Sequence, residues 1–254
     1  MHTKSKNILI TGCEGFIGSN IAKKLKSINK NYKIIGCGSL NKKEKLKNIN
    51  KLNLLDYWNK KDLFENLKNL KSSSISTIIH MGACSSTNEW DGEYLIENNT
   101  KFTNKLIDYA IKNKVRMIHA SSASVYGIRG KSTHDSNNCI PINMYAYSKF
   151  MSDNYLINKY PKQKYITSLR FFNVYGMNEE HKIGMASPVH TFNKQVISSG
   201  NINLFKEKDE SNLFMRDFVS VEDISNLVME LLAKNNCFGV FDAGTAKPIS
   251  FQEI

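Results

Sequence analysis

Asn7-Ile8-Leu9-Ile10-Thr11-Gly12-Cys13-Glu14-Gly15-Phe16-Ile17-Gly18 sets the architecture of this chain. The apolar run over 7–11 reads as a buried strand. Ile17, Ile21, Ala22 and Leu25 then recur at helical spacing. Between strand and helix stand glycines at 12, 15 and 18. In that position, Gly12 allows a tight turn and Gly15 lets backbone N–H groups approach a pyrophosphate at the helix N-terminus. Gly18 lets the helix pack closely on the strand. A glycine pattern alone says little; placed after the first strand and opening the first helix it is specific.

Downstream, strand and helix patterns alternate. Lys33-Ile34-Ile35-Gly36-Cys37 reads as the second strand. Its end is where an acid usually binds the adenosine ribose 2′-hydroxyl. Gly38-Ser39 stands there, followed by Lys42, Lys43 and Lys45. Without a carboxylate to repel it, a 2′-phosphate could pair with those lysines, which favours NADP while leaving NAD open. Asp56 precedes a helix through Leu63, Leu67 and Leu70, either as a contact to the adenine amino group or as a helix cap. The strand over 76–80 delivers the loop Met81-Gly82-Ala83-Cys84-Ser85-Ser86-Thr87 to the cofactor side of the sheet, and Asn98-Asn99 reads as the start of another helix. The strand over 115–120 delivers Ser121 and Ser122.

Met144-Tyr145-Ala146-Tyr147-Ser148-Lys149-Phe150 carries the candidate chemistry. Tyr145 and Lys149 lie one helical turn apart on one face. An ammonium that close favours phenolate, which suits Tyr145 to acid/base work near neutral pH. A hydroxyl from Ser122 could hydrogen-bond the oxygen that faces Tyr145. The helix runs on through Tyr155 and Tyr160 until Pro161 stops it.

Composition narrows the function further. The chain has 254 residues, 41% of them apolar, enough for one large core. The net charge of +12 comes from scattered lysine, with arginine only at 116, 129, 170 and 216. That is no nucleic-acid stripe, but it suits an anionic small molecule. No secretion signal or membrane-length apolar run is visible, and Cys13, Cys37, Cys84, Cys139 and Cys237 show no metal-ligand spacing. The expectation is a cytoplasmic protein with reduced thiols and no metal, nucleic-acid or membrane partner.

Gly12/Gly15/Gly18, Ser122 and Tyr145/Lys149 follow the order of the extended short-chain dehydrogenase/reductase superfamily, which this chain resembles. A narrower resemblance rests on Gly82-Ala83-Cys84-Ser85-Ser86-Thr87, Glu89-Trp90-Asp91-Gly92, Arg170-Phe171-Phe172-Asn173-Val174-Tyr175-Gly176, His181-Lys182 with Met185-Ala186-Ser187, and Arg216-Asp217-Phe218-Val219. Over nearly its whole length the chain is similar to the ADP-L-glycero-D-manno-heptose 6-epimerase family. The resemblance implies transient oxidation of an ADP-heptose at C6 by tightly held NADP, presentation of the ketone by its opposite face, and return of the same hydride.

It also implies roles. Tyr145 and Lys182 would each act as a proton acceptor; Lys149 would orient the nicotinamide ribose and tune Tyr145; Ser122 would steady the reacting oxygen. A base at Lys182 needs its pKa lowered, by burial or neighbouring positive charge. Cofactor contacts carry over to Gly12, Gly15, Phe16, Ile17, Gly18, Gly38, Ser39, Lys45, Ala83, Cys84, Ser85, Asn98, Tyr145, Lys149 and Val174. Substrate contacts carry over to Ser122, Asn173, His181, Gly184, Phe205 and Arg216, the last a pyrophosphate ligand or else the salt-bridge partner of an acid such as Asp217.

The expected fold is α/β: a doubly wound parallel-sheet Rossmann domain over 1–170 and 217–245, with a small discontinuous substrate lobe over 171–216 and 246–254. A helix over 223–232 and a strand over 240–244 return to the main sheet. The family continues for roughly fifty residues beyond the point reached by Ile254, the length of several further elements, and forms homo-oligomers. A hexose 4-epimerase or 4,6-dehydratase is the rival on this scaffold. A dehydratase usually places Asp-Glu where Ser122-Ala123 stands. A non-catalytic dinucleotide sensor is the rival of another class.

Overall fold

The computed structural model describes residues 7–70, 74–127, 138–182, 184–204, 215–234 and 236–254. Its centre is a sheet of seven parallel strands: β1 (Asn7–Thr11), β2 (Lys33–Gly38), β3 (Asp56–Asn59), β4 (Ile75–His80), β5 (Arg116–Ser122), β6 (Ile166–Phe171) and, late in the chain, β9 (Gly239–Ala243). The spatial order is β3-β2-β1-β4-β5-β6-β9. The chain therefore builds outward from β1 through β2 to β3, then restarts on the other side at β4. The carboxyl ends of β1 and β4 flank the crevice created by that reversal, where ligands bind in open α/β sheets.

Alternation along the strands splits the core between the two faces. Ile8 and Ile10 of β1 pack on one side with Ile21, Ala22 and Leu25 of α1 (Phe16–Ile28) and with Ile224, Val228 and Leu231 of α8 (Val221–Ala233). Leu9 points the other way, among Leu63 and Leu67 of α3 (Leu63–Asn69), Leu106 and Ile107 of α5 (Phe102–Asn113), and Leu156 of α6 (Met144–Lys159). Each fully buried Leu or Ile contributes about 1.5–3 kcal/mol. A one-residue slip of β1 would therefore turn its inner residues to the wrong layers.

A second sheet has three short strands in the order β10-β8-β7: β7 (Asn173–Tyr175), β8 (Met215–Ser220) and β10 (Pro248–Ser250). Helix α7 (Pro188–Ser199) lies between β7 and β8 in sequence, capped by Ser187, whose Oγ accepts from His190 N–H.

Two local expectations are corrected. Asp56 does not cap a helix. It opens β3, and its carboxylate accepts from Tyr57 N–H at 2.8 Å and the Trp58 indole at 2.7 Å. The helix expected from Asn98 starts earlier. Asp91 caps α4 (Gly92–Leu95) by accepting from Tyr94 N–H, and a π-helical stretch, Ile96–Lys101, joins α4 to α5. The two asparagines sit inside that stretch, so their side chains serve long-range contacts and not a cap.

Candidate functional site

A cleft of about 630 Å³ opens along the carboxyl ends of β1, β2, β4 and β5, the size of a small-molecule site. Gly12 has φ +65°, and a Cβ there would lie 2.7 Å from the Gly82 backbone. The turns after β1 and β4 thus touch, and only glycine permits it. A Cβ on Gly18 would lie 2.2 Å from the Gly12 carbonyl oxygen, which holds helix against turn. Gly15 occupies the N-cap of α1, with no side-chain cap and no acid in the first turn. The first N–H groups of the helix are left to an anion. These features fit the pyrophosphate of a dinucleotide.

The loop after β4 is clamped from the π-helical stretch. Asn99 accepts from Cys84 N–H and donates to Cys84 O, both at 2.9 Å, and donates to Ser148 Oγ at 3.0 Å. Asn98 accepts from Lys60 Nζ at 2.7 Å. A π-turn supplies the extra residue that lets two consecutive asparagines reach one wall. Both Lys60 and Asn98 line the cleft.

Tyr145, Lys149 and Ser122 meet at the other end. Asn143 caps α6 by accepting from Ala146 N–H, which places Tyr145 in the first turn with Lys149 one turn on. Lys149 is 4% exposed, and its Nζ donates to Ala120 O at 2.8 Å. Burial pushes its pKa down to about 8, against the opposing pull of Asp153. The Ser122 Oγ accepts from Ser124 N–H and lies near enough to Tyr145 to lower the phenol's pKa. Burial nevertheless prevails, and the Tyr145 pKa is raised. Desolvation is thus the largest influence on the phenol, and Lys149 Nζ, one turn on, spends one of its donors on Ala120 O.

The loop after β7 brings His181 and Lys182 to the same cleft. Glu179, fully buried, organises that loop: it accepts from Gly176 N–H at 2.9 Å, Ser187 N–H at 2.6 Å and Ser187 Oγ at 2.8 Å. Lys182 Nζ lies 5.2 Å from the centre of the Phe16 ring, a cation–π distance. Burial lowers the Lys182 pKa while Glu179 opposes the shift. Burial, then Lys182, Lys45 and Lys42, lower that of His181.

All the expected cofactor residues line the cleft, Val174 and the Gly38-Ser39-Lys45 group included. Of the expected substrate residues, Ser122 and His181 line it; Asn173, Gly184 and Arg216 do not. Arg216 lies exposed on β8, donates to Met215 O, and makes no ion pair among the described residues; Asp217 instead accepts from Thr245 and Ala246. Phe205 and the stretch 206–214 lie outside the described residues. Sequence reasoning missed Glu14, Lys60 and Asn99. No spacing rule ties them to the site, although the Glu within a glycine turn was a visible anomaly. Among the described residues the lining carries Lys42, Lys45, Lys60, Lys149 and Lys182 against one carboxylate, Glu14, a field that draws anions. Among the described residues no three His, Cys, Asp or Glu side chains group as metal ligands, and no helix is long and apolar enough to cross a membrane.

The NAD dependent epimerase/dehydratase family model matches residues 8–244. The ADP-L-glycero-D-manno-heptose-6-epimerase of Brachyspira hyodysenteriae is 38% identical across 97% of this chain and 78% of its own. The crystal structure of the Helicobacter pylori ADP-L-glycero-D-manno-heptose-6-epimerase superposes with a TM-score of 0.86 at 26% identity, covering 98% of this chain and 80% of that one. The UDP-glucuronic acid 4-epimerase of Bacillus cereus, solved with NAD, shares the fold: TM-score 0.76 and 23% identity, over 97% of this chain and 80% of that one.

Proposed function

The chain belongs to the NAD dependent epimerase/dehydratase family, and from that membership we propose that it interconverts ADP-D-glycero- and ADP-L-glycero-β-D-manno-heptose at C6, in lipopolysaccharide core biosynthesis. One observation carries the reading beyond the family: Ser122, Tyr145, Lys149 and the His181-Lys182 pair share one lysine-lined cleft in a chain 38% identical to an epimerase of that name.

The Gly12–Gly15 turn and the α1 N-terminus would hold the pyrophosphate, with Lys149 on the nicotinamide ribose. A bound nicotinamide dinucleotide supplies a two-electron acceptor and donor for the sugar carbon. The protein must manage protons. Oxidising a carbinol frees its O–H proton, and rebuilding the alcohol with inverted configuration returns a proton to oxygen from another direction. Tyr145 on α6 and Lys182 on the loop after β7 are the two exchangers. Burial lowers the Lys182 pKa, the direction a proton acceptor needs. Ser122 steadies the oxygen. Residues 1–170 and 217–245 are assigned to the cofactor and 171–216 with 246–254 to the sugar. We also place the protein in the cytoplasm as a homo-oligomer, on the same resemblance.

The test is direct. Purified protein is incubated with ADP-D-glycero-β-D-manno-heptose and the C6 epimers are resolved by anion-exchange chromatography. Approach to a mixture of both epimers from either side is expected. No conversion, alongside epimerisation of a UDP-hexose at C4 or dehydration of a hexose nucleotide, would overturn the assignment.

A further inference from the structure

Among the described residues Glu14, in the glycine turn, is the one acidic residue that lines the cleft. It is 4% exposed. Its Oε1 accepts from Ser39 N–H at 2.9 Å and from Lys45 Nζ at 3.4 Å. Its Oε2 is buried with no hydrogen-bond partner. The Tyr57 hydroxyl lies near enough for the carboxylate to add to burial in raising the phenol's pKa, yet it too completes no normal hydrogen bond.

The carboxylate fills the space of an absent side chain. A Cβ built on Gly38 would stand 2.0 Å from Glu14 Oε2 and 2.3 Å from Oε1, and its three nearest neighbours all belong to Glu14. Gly38 has no positive φ to demand glycine. It ends β2, the position from which this fold usually sends an acid to the adenosine ribose. The negative charge at that place has not been lost; it comes from residue 14.

Resting on the reading of this cleft as a dinucleotide site, we propose that Glu14 reads the 2′ position of the adenosine ribose and that the chain selects NAD over NADP. A 2′-hydroxyl can donate to the Glu14 carboxylate, which has acceptor capacity left over from Ser39 and Lys45. A 2′-phosphate brings acceptors only and meets a buried carboxylate. Two of the three lysines that suggested NADP are already engaged: Lys45 with Glu14 and Ser39 O, Lys42 with His181 O at 3.2 Å.

The experiment is calorimetric titration of protein stripped of bound dinucleotide, with NAD and NADP separately. A hydrogen bond to a charged group is worth roughly tenfold to a hundredfold in affinity. Wild type should favour NAD by at least about tenfold, and Glu14→Gln should bring the two affinities close together. Gly38→Asp should lower the melting temperature by driving one carboxylate into another. The Glu14→Ala/Gly38→Asp pair should restore both the melting temperature and the NAD preference. Equal binding, a preference for NADP in wild type, or an unchanged ratio in Glu14→Gln would overturn the proposal. If Glu14→Gln does not fold, the wild-type ratio and the double variant decide it. NADP preference in a protein that still epimerises ADP-heptose sinks only the Glu14 assignment. Failure to take either dinucleotide sinks the proposed function as well.

Discussion

Acid should loosen this fold through His80 before it reaches the carboxylates. His80 ends β4 with its ring fully buried. Nδ1 lies 2.6 Å from Thr11 Oγ1 and Nε2 lies 2.9 Å from Thr103 Oγ1. Thr11 Oγ1 also accepts from Gly82 N–H at 3.1 Å. The simplest assignment has Thr11 donating to Nδ1 and Nε2–H donating to Thr103, a neutral imidazole tied to the turn that meets Gly12. Burial, and then Lys149, lower its pKa from 6.5 to about 3. The unfolded chain binds the proton more readily, so this contribution is present above pH 6.5 and is lost as pH falls toward 3. From pH 7 to pH 5 the loss is about 2 kcal/mol for His80 alone. The buried ring of His119, stacked on it at 5.3 Å, adds in the same direction. Urea unfolding at the two pH values, on wild type and His80→Asn, isolates the difference. The variant keeps an acceptor for Thr11 but cannot titrate, so its pH 7 to 5 loss should be smaller by about 2 kcal/mol. Equal losses in the two proteins would refute the reasoning.

Three further outcomes are expected. Tyr145→Phe and Lys182→Met should each lower the epimerisation rate by about 10²- to 10⁴-fold while leaving dinucleotide affinity, read by calorimetry, within a few fold; a rate above a tenth of wild type in either would remove that residue from the proton transfers. Glu179→Gln withdraws the charge that holds the Lys182 pKa up. In the direction where Lys182 accepts a proton, the acid limb of the pH–rate profile should move to lower pH, and a limb that stays or rises contradicts the assignment. Gly12→Ala forces a side chain into a φ of +65° and against Gly82; it should cost at least about 2 kcal/mol in urea unfolding and abolish dinucleotide binding, and a fully stable, binding-competent variant would disprove the contact.

What could be read from the sequence was local. The glycine turn, the returning helix, the late strand and the Tyr145/Lys149 spacing depend on neighbours within a few residues. What escaped depends on distant partners. Glu14 finds Ser39 and Lys45 across 25 and 31 residues, so spacing alone made the end of β2 look devoid of negative charge. Asn99 reads in sequence only as part of a helix start, because its partners, Cys84 and Ser148, lie far along the chain. For Tyr145, helical spacing reveals the nearby cation, whereas desolvation depends on everything packed around the ring.

The buried lysine beneath Tyr145 shows how packing sets the chemistry. Asp153, the next residue along that face of α6, could have been a full counterion for Lys149. It is already occupied: Arg170 Nε donates to its Oδ2 at 2.9 Å, and Ser121 and Ser168 hydroxyls donate as well. Arg170 in turn donates to the Tyr126 hydroxyl at 2.9 Å, which donates to Asp242 on β9 at 2.6 Å. A carboxylate so neutralised raises the Lys149 pKa only partly, and desolvation carries it down to about 8. The fold thus gives the buried aspartate to an arginine that keeps its proton and leaves the lysine near its titration point, where small changes in cleft charge alter its protonation.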